Sequence, residues 1–121
     1  MTKISFLELV QKKCEPCEGK GKPLAADQAK TYLAELADWS LAPDGKSIKA
    51  EYVMKNFVCS VGLINQIADV AEAESHHPDI HLTGYRKLGI ELSTHAIGGL
   101  SENDFILAAK ISQLPKDLKK G

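Results

Sequence analysis

All four histidines of the chain, His76, His77, His81 and His95, fall within twenty positions. Histidine is the side chain whose unperturbed pKa, about 6.5, lets it both give and take a proton near neutrality. A cluster of them points to proton transfer or to metal binding. His76 and His77 stand at the expected C-terminal end of a helix, where the helix dipole favours imidazolium. Glu72 precedes His76 by four residues. On a helix that spacing puts both side chains on one face, so a carboxylate there is expected to orient the imidazole and fix its tautomer. His95 follows a strand-like run, after Ser93-Thr94 and before Gly98-Gly99. Strand ends and glycine-rich loops often carry function, because a rigid scaffold positions a loop. The plainer reading stands beside this one. A His-His-Pro run at a helix end is also an ordinary C-cap with exposed imidazoles. Asp104 reads first as a capping residue, and His81 as an exposed, non-catalytic strand residue.

Other chemistries find less support. Cys14-x-x-Cys17 has the spacing of half a zinc site, but there is no second such pair and the histidines lie about sixty residues downstream. Adjacent histidines also do not share a helix face as H-x-x-x-H would. A redox reading needs the cysteine pair to open a helix, whereas Glu18-Gly19-Lys20-Gly21 follows it. The chain contains no G-x-G-x-x-G, no phosphate-binding loop ending in Gly-Lys-Ser/Thr and no G-x-S-x-G elbow. Neither a metal nor a bound cofactor is expected.

The elements that must position these residues read as follows. Residues 4–11 form a short helix or an arm, and 14–23 a loop rich in turn-formers. Residues 25–37 read as a helix with Ala29, Tyr32, Leu33 and Leu36 on one stripe. Trp39 opens a β-hairpin around Pro43-Asp44-Gly45-Lys46, since Pro presets its own φ and Gly accepts a positive one. Residues 55–73 read as the longest helix. Phe57, Val61, Ile64, Ala68 and Ala71 mark its expected buried face, widened by Leu63, Ile67 and Val70, with Cys59 as a small core residue. The helix should end near His76-His77, because Pro78 disfavours helical geometry just before it. Residues 79–94 alternate as a second hairpin about Thr83-Gly84, with Leu88, Ile90 and Leu92 on one face. Residues 96–100 read as a loop. Ser101 looks like the N-cap of a last helix with Asp104 as its capping-box partner. Phe105, Ala108, Ala109 and Ile111 supply its apolar side, and residues 115–121 are a polar, frayed tail.

Long helices segregated from antiparallel strands predict an α+β domain. It should hold a four-stranded antiparallel sheet with helices packed on one face, in helix–hairpin–helix–hairpin–helix order. The domain spans residues 24–114, between an arm and loop over 1–23 and the tail. Unpaired sheet edges are commonly matched across a two-fold axis, so a homodimer or homotetramer is expected. A chain of 121 residues is one domain in size. With 15 basic and 16 acidic residues its formal charge is -1, which gives no pull toward nucleic acid or an anionic membrane. No run of apolar residues is long enough to span a bilayer. The N-terminal residues lack the pattern of a secretory signal, and three cysteines do not make a disulfide framework. A cytoplasmic protein is expected.

Glu72-x-x-x-His76-His77-Pro78-Asp79, a strand, then Leu92-Ser93-Thr94-His95 and Gly99-Leu100-Ser101-x-x-Asp104 together resemble the pterin-4a-carbinolamine dehydratases. The order of elements and Trp39 at the first hairpin resemble that family too, over about residues 24 to 113. The segment with Cys14 and Cys17 lies outside the animal enzymes' pattern. The resemblance implies dehydration of 4a-hydroxytetrahydropterin, the by-product of aromatic amino acid hydroxylases, to the quinonoid dihydropterin. It implies His76 and His95 as proton donor and acceptor, and His77 as the residue that chiefly holds substrate. Pro78, Thr94, Ala96 and Ile97 would line the pterin pocket, with Glu72 and Asp104 in support. Ile80 stands where animal members carry a Trp, and the interval from His77 to His95 is about one residue longer, near Thr83-Gly84. Both departures are expected at the pocket edge. Two other readings keep the resemblance without this reaction. One is a dimerisation module, since animal members partner a transcription factor. The other is a dehydratase-like protein of another pterin pathway, such as molybdopterin metabolism.

Overall fold

The computed structural model describes residues 6–14 and 24–119. Its element order is α1 (Phe6–Gln11), α2 (Ala26–Leu33), β1 (Trp39–Leu41), β2 (Ile48–Val53), α3 (Phe57–Glu74), β3 (Asp79–Thr83), β4 (Lys87–Leu92), a single 3₁₀ turn (His95–Ile97) and α4 (Glu102–Gln113). The four strands form one antiparallel sheet in the order β1-β2-β4-β3.

Alternation decides which face of the sheet is covered. Ile48, Ala50 and Tyr52 on β2 are buried, and so are Leu88, Ile90 and Leu92 on β4. Their neighbours Lys49 and Glu51 point the other way into solvent, so the helices cover one face, as the period-two pattern predicts. The first hairpin turns where expected. Gly45 takes φ 71°, the Asp44 carboxylate accepts from the Lys46 N–H at 2.9 Å, and Ala42 N–H reaches Ser47 C=O at 2.9 Å.

The helices depart from expectation in three ways. α2 stops at Leu33, four residues short of the predicted end, although Leu36 beyond it is still buried in the core. α3 starts at the N-cap Asn56, whose side chain accepts from Cys59 N–H at 2.8 Å. Its buried face is Ser60, Leu63, Ile67 and Ala71, not the stripe through Phe57 and Val61. Phe57 and Val58 are 54% and 78% exposed, and Cys59 is half-buried. α4 is buried nearly all round, from Asn103 to Ala109, because α1 lies against it with Leu9 fully buried.

The tail differs as well. Residues up to Lys119 run beside the end of β2, with Lys55 N–H bonded to Asp117 C=O at 2.8 Å and Lys119 N–H to Val53 C=O at 2.9 Å. Lys116 Nζ donates to the carbonyls of Ile111, Ser112 and Leu114 at 2.8, 3.0 and 2.8 Å. A lysine there satisfies the open carbonyls at the end of α4.

Candidate active site

α3 ends before the histidine pair. Glu74 is its last residue, and Ser75 takes the left-handed conformation, φ 54° and ψ 37°. His76 N–H reaches Ala71 C=O at 3.2 Å and Ser75 N–H reaches Glu72 C=O at 3.3 Å. This pair of bonds closes a helix with a left-handed residue, a position that glycine usually fills. The reversal therefore comes two residues earlier than Pro78 alone predicts, and it turns His76 off the helix and into the protein.

His76 meets Asp104. Its Nε2 lies 2.6 Å from Asp104 Oδ1, with the His76 side chain 12% exposed and Asp104 wholly buried. The other carboxylate oxygen, Oδ2, accepts from Thr94 Oγ1 at 2.8 Å and from Ser101 N–H at 2.9 Å. Thr94 Oγ1 also lies 2.8 Å from Ser101 Oγ. Asp104 is thus both the capping residue of α4 and the partner of a histidine, two roles that the sequence presented as alternatives. A carboxylate only accepts, so the His76 nitrogen facing it carries the hydrogen and Nδ1 is left to exchange a proton. A buried carboxylate is tolerated because three donors surround it.

Glu72 does not reach His76. It bonds His77 instead, Oε2 to Nε2 at 2.5 Å, and both side chains are mostly exposed. The expected pairing assumed that the helix continued through His76, and the left-handed Ser75 breaks that spacing. Thr94 is buried, Pro78 and Ile97 are half-buried and Ala96 is exposed. The backbone of His95 begins the 3₁₀ turn, and its side chain lies outside the described residues. Thr94 N–H bonds Gly99 C=O at 2.8 Å, so the loop folds back on itself next to His95. A hollow of about 370 Å³ opens beside Thr94, lined by Asp79, Ser93, Gly98 and Gly99 and by Asp44, Lys46 and Ser47 of the first hairpin. That volume falls within the range of small-molecule sites. His81 is exposed on β3.

The model of the family described as pterin 4 alpha carbinolamine dehydratase matches residues 22–114. The chain belongs to that family. An Arabidopsis thaliana relative, the mitochondrial pterin-4-alpha-carbinolamine dehydratase 2, is 44% identical over 116 residues. The match covers 93% of this chain and 62% of the plant protein. A Halorhodospira halophila relative, provisionally given the same dehydratase name, is 43% identical over 89% of this chain and 98% of its own. A crystal structure of a transcriptional coactivator/pterin dehydratase from Brucella melitensis superposes with a TM-score of 0.71 at 26% identity. It covers 75% of this chain and 96% of that one.

Within this dehydratase family the two departures noted in the sequence take a different place from the one expected. Ile80 pairs with the buried Ile90 and packs against the core, on the helix side of the sheet. The turn through Gly84 and Tyr85, with φ of 53° and 56°, joins the ends of β3 and β4 remote from His76-His77, a full strand length away.

Proposed function

We propose that the chain dehydrates a 4a-hydroxytetrahydropterin to the quinonoid dihydropterin by histidine acid–base catalysis, in tetrahydropterin recycling. The observation that carries this reading is Asp104, which holds His76 through one oxygen and Thr94, the neighbour of His95, through the other. One buried carboxylate thereby draws together the end of the long helix and the end of the last strand.

The reaction suits such a site. Hydroxide leaves C4a only if it is protonated as it departs. The N5 lone pair drives the departure, and N5 then loses its own proton. One acid and one base near neutrality are sufficient, each contributing on the order of 10²- to 10⁴-fold. His76, with one ring nitrogen engaged by Asp104, and His95 are assigned these two roles. His77 is assigned to holding substrate, and Pro78, Thr94, Ala96 and Ile97 to the pterin site; of these described residues, Thr94 lines the hollow beside the loop. Stopped-flow dehydration of purified protein tests this reading. His76→Ala and His95→Ala should each lose on the order of 10²-fold or more while remaining folded. Two variants with wild-type rates would overturn it, and loss of wild-type activity on chelation would point to a metal instead.

The exposed apolar side chains Phe57, Val58 and Val61 on one end of α3 favour a homo-oligomer packed through this helix. The alternative of a binding module without catalysis rests on the same surface. Free Cys14 and Cys59 fit a reducing, cytoplasmic compartment, and no helix among the described residues is long and apolar enough to cross a membrane.

A further inference from the structure

Glu74 lies outside the residues assigned to chemistry, yet it is among the most constrained side chains near them. It is the last residue of α3, and its side chain is 6% exposed. Its Oε1 accepts from Cys14 N–H at 2.7 Å and its Oε2 from Lys110 Nζ at 3.0 Å. The residue that follows, Ser75, is held left-handed, where its Cβ crowds the backbone. Such strain persists only where the surroundings over-determine it. Here the residues on both sides of Ser75 are tied to α4, Glu74 to Lys110 and His76 to Asp104.

We propose that Glu74 is a positioning residue for His76. Pinned by Lys110 and by the Cys14 amide, it fixes the last turn of α3 so that the reversal at Ser75 delivers the imidazole onto Asp104. The role in turnover rests on the dehydratase reading. The placement of His76 does not. The N-terminal segment takes part in the clamp, although it lies outside the matched range of 22–114. Leu9 is buried against the core, and Lys12 pairs with Glu102 at 2.9 Å. The segment is therefore anchored within α1 and just past its end before Cys14 reaches Glu74. Removing Glu74 leaves the half-buried Lys110 without its counter-charge and the Cys14 N–H without its acceptor.

The test compares full-length Glu74→Leu, Glu74→Gln and Glu74→Leu/Ser75→Gly. Circular dichroism sets the temperature well below each melting point. In Glu74→Leu, kcat should fall by on the order of 10- to 100-fold with KM little changed, the pattern of a misplaced catalytic group. Glu74→Gln keeps the shape but only one of the two acceptor oxygens, so its kcat should lie between those of wild type and Glu74→Leu. Adding Ser75→Gly should recover part of the loss, because glycine takes the left-handed turn without strain. The ¹⁵N shifts of the His76 ring, which report its bond to Asp104, should move in Glu74→Leu and return with Ser75→Gly. A folded Glu74→Leu with wild-type kcat and wild-type ring shifts would overturn the proposal, as would a lower melting point with kcat unchanged. If Glu74→Leu does not fold, Lys110→Met is measured in the same way with the same two outcomes. A wild-type chain without dehydratase activity would sink the dehydratase reading alone, and the ring shifts would still decide the position of His76.

Discussion

Asp104 serves three donors from three separate parts of the chain, and its substitutions should separate chemistry from stability. Asp104→Asn keeps the shape but presents an amide to His76, so the tautomer that leaves Nδ1 free is no longer enforced. The dehydration rate should drop on the order of 10²-fold or more with a modest change in stability. Asp104→Ala removes the cap of α4 and leaves the Thr94 hydroxyl without its buried acceptor, and urea unfolding should show a loss of roughly 2–4 kcal/mol. Equal rates in Asp104→Asn and wild type would remove Asp104 from the site. At this scale the sequence set Glu72 against His76, whereas the structure pairs it with His77. The four-residue spacing of Glu72 and His76 implies contact only on a continuous helix, and nothing local announces a left-handed serine. His76 and Asp104 are 28 residues apart, a separation that no periodicity reads.

α3 shows how an element can be right in type and wrong in orientation. Its limits match the apolar run to within two residues at the start, but the run is apolar on more than one side. Leu63, Ile67 and Ala71 are buried, and Phe57, Val58 and Val61 are exposed. Composition cannot rank two apolar stripes; only the neighbours do. α4 makes the converse point, since the predicted one-sided stripe is buried all round once α1 covers its far side. The tail reading failed for a related reason. Polar composition suggested fraying, but Lys116 is held over the open carbonyls of α4 and 5.0 Å from the Tyr52 ring. Lys116→Met should cost about 1 kcal/mol, seen as a lower urea midpoint with an unchanged m-value. An unaltered midpoint would make that cap energetically idle.

For the molecule as a whole, the buried titratable groups predict a stability plateau with two edges. Burial opposes ionisation of Glu74, but the Cys14 N–H and Lys110 outweigh it, and Lys12 and Tyr32 do the same for Glu102, so both carboxyls sit below the usual 4.5. The unfolded chain then binds more protons, and stability falls as the pH drops below about 4.5. On the alkaline side, burial, then Glu74, lifts the Cys14 thiol from 9.0 to about 12, and burial, then Glu102, lifts Tyr32 from 10.0 to about 12. Burial beside Asp38 raises Tyr52 as well. The fold favours their neutral forms, so stability falls as pH rises past 9 toward 12. Burial lowers Lys116 and works the other way below 10.5, one group against three. Urea midpoints measured across pH 3–11 test this pattern, and a maximum above pH 10 would contradict it. The exposed stripe on α3 carries its own prediction. Val58→Asp should lower the native mass in light scattering, and a wild type that is monomeric at every concentration would refute the oligomer.

The residue sequence alone determined the four antiparallel strands, the sheet's covered face and the motif that places the chain in its family, because these follow from local periods, turn chemistry and short-range spacing. Tertiary structure decided which carboxylate meets which histidine, which stripe of α3 is buried and that the N-terminal segment braces the site. The His76–Asp104, Cys14–Glu74 and Lys12–Glu102 contacts join residues 28, 60 and 90 positions apart. They exist only after helices and sheet have packed, and packing is settled by the shape and charge of neighbours that no local pattern contains.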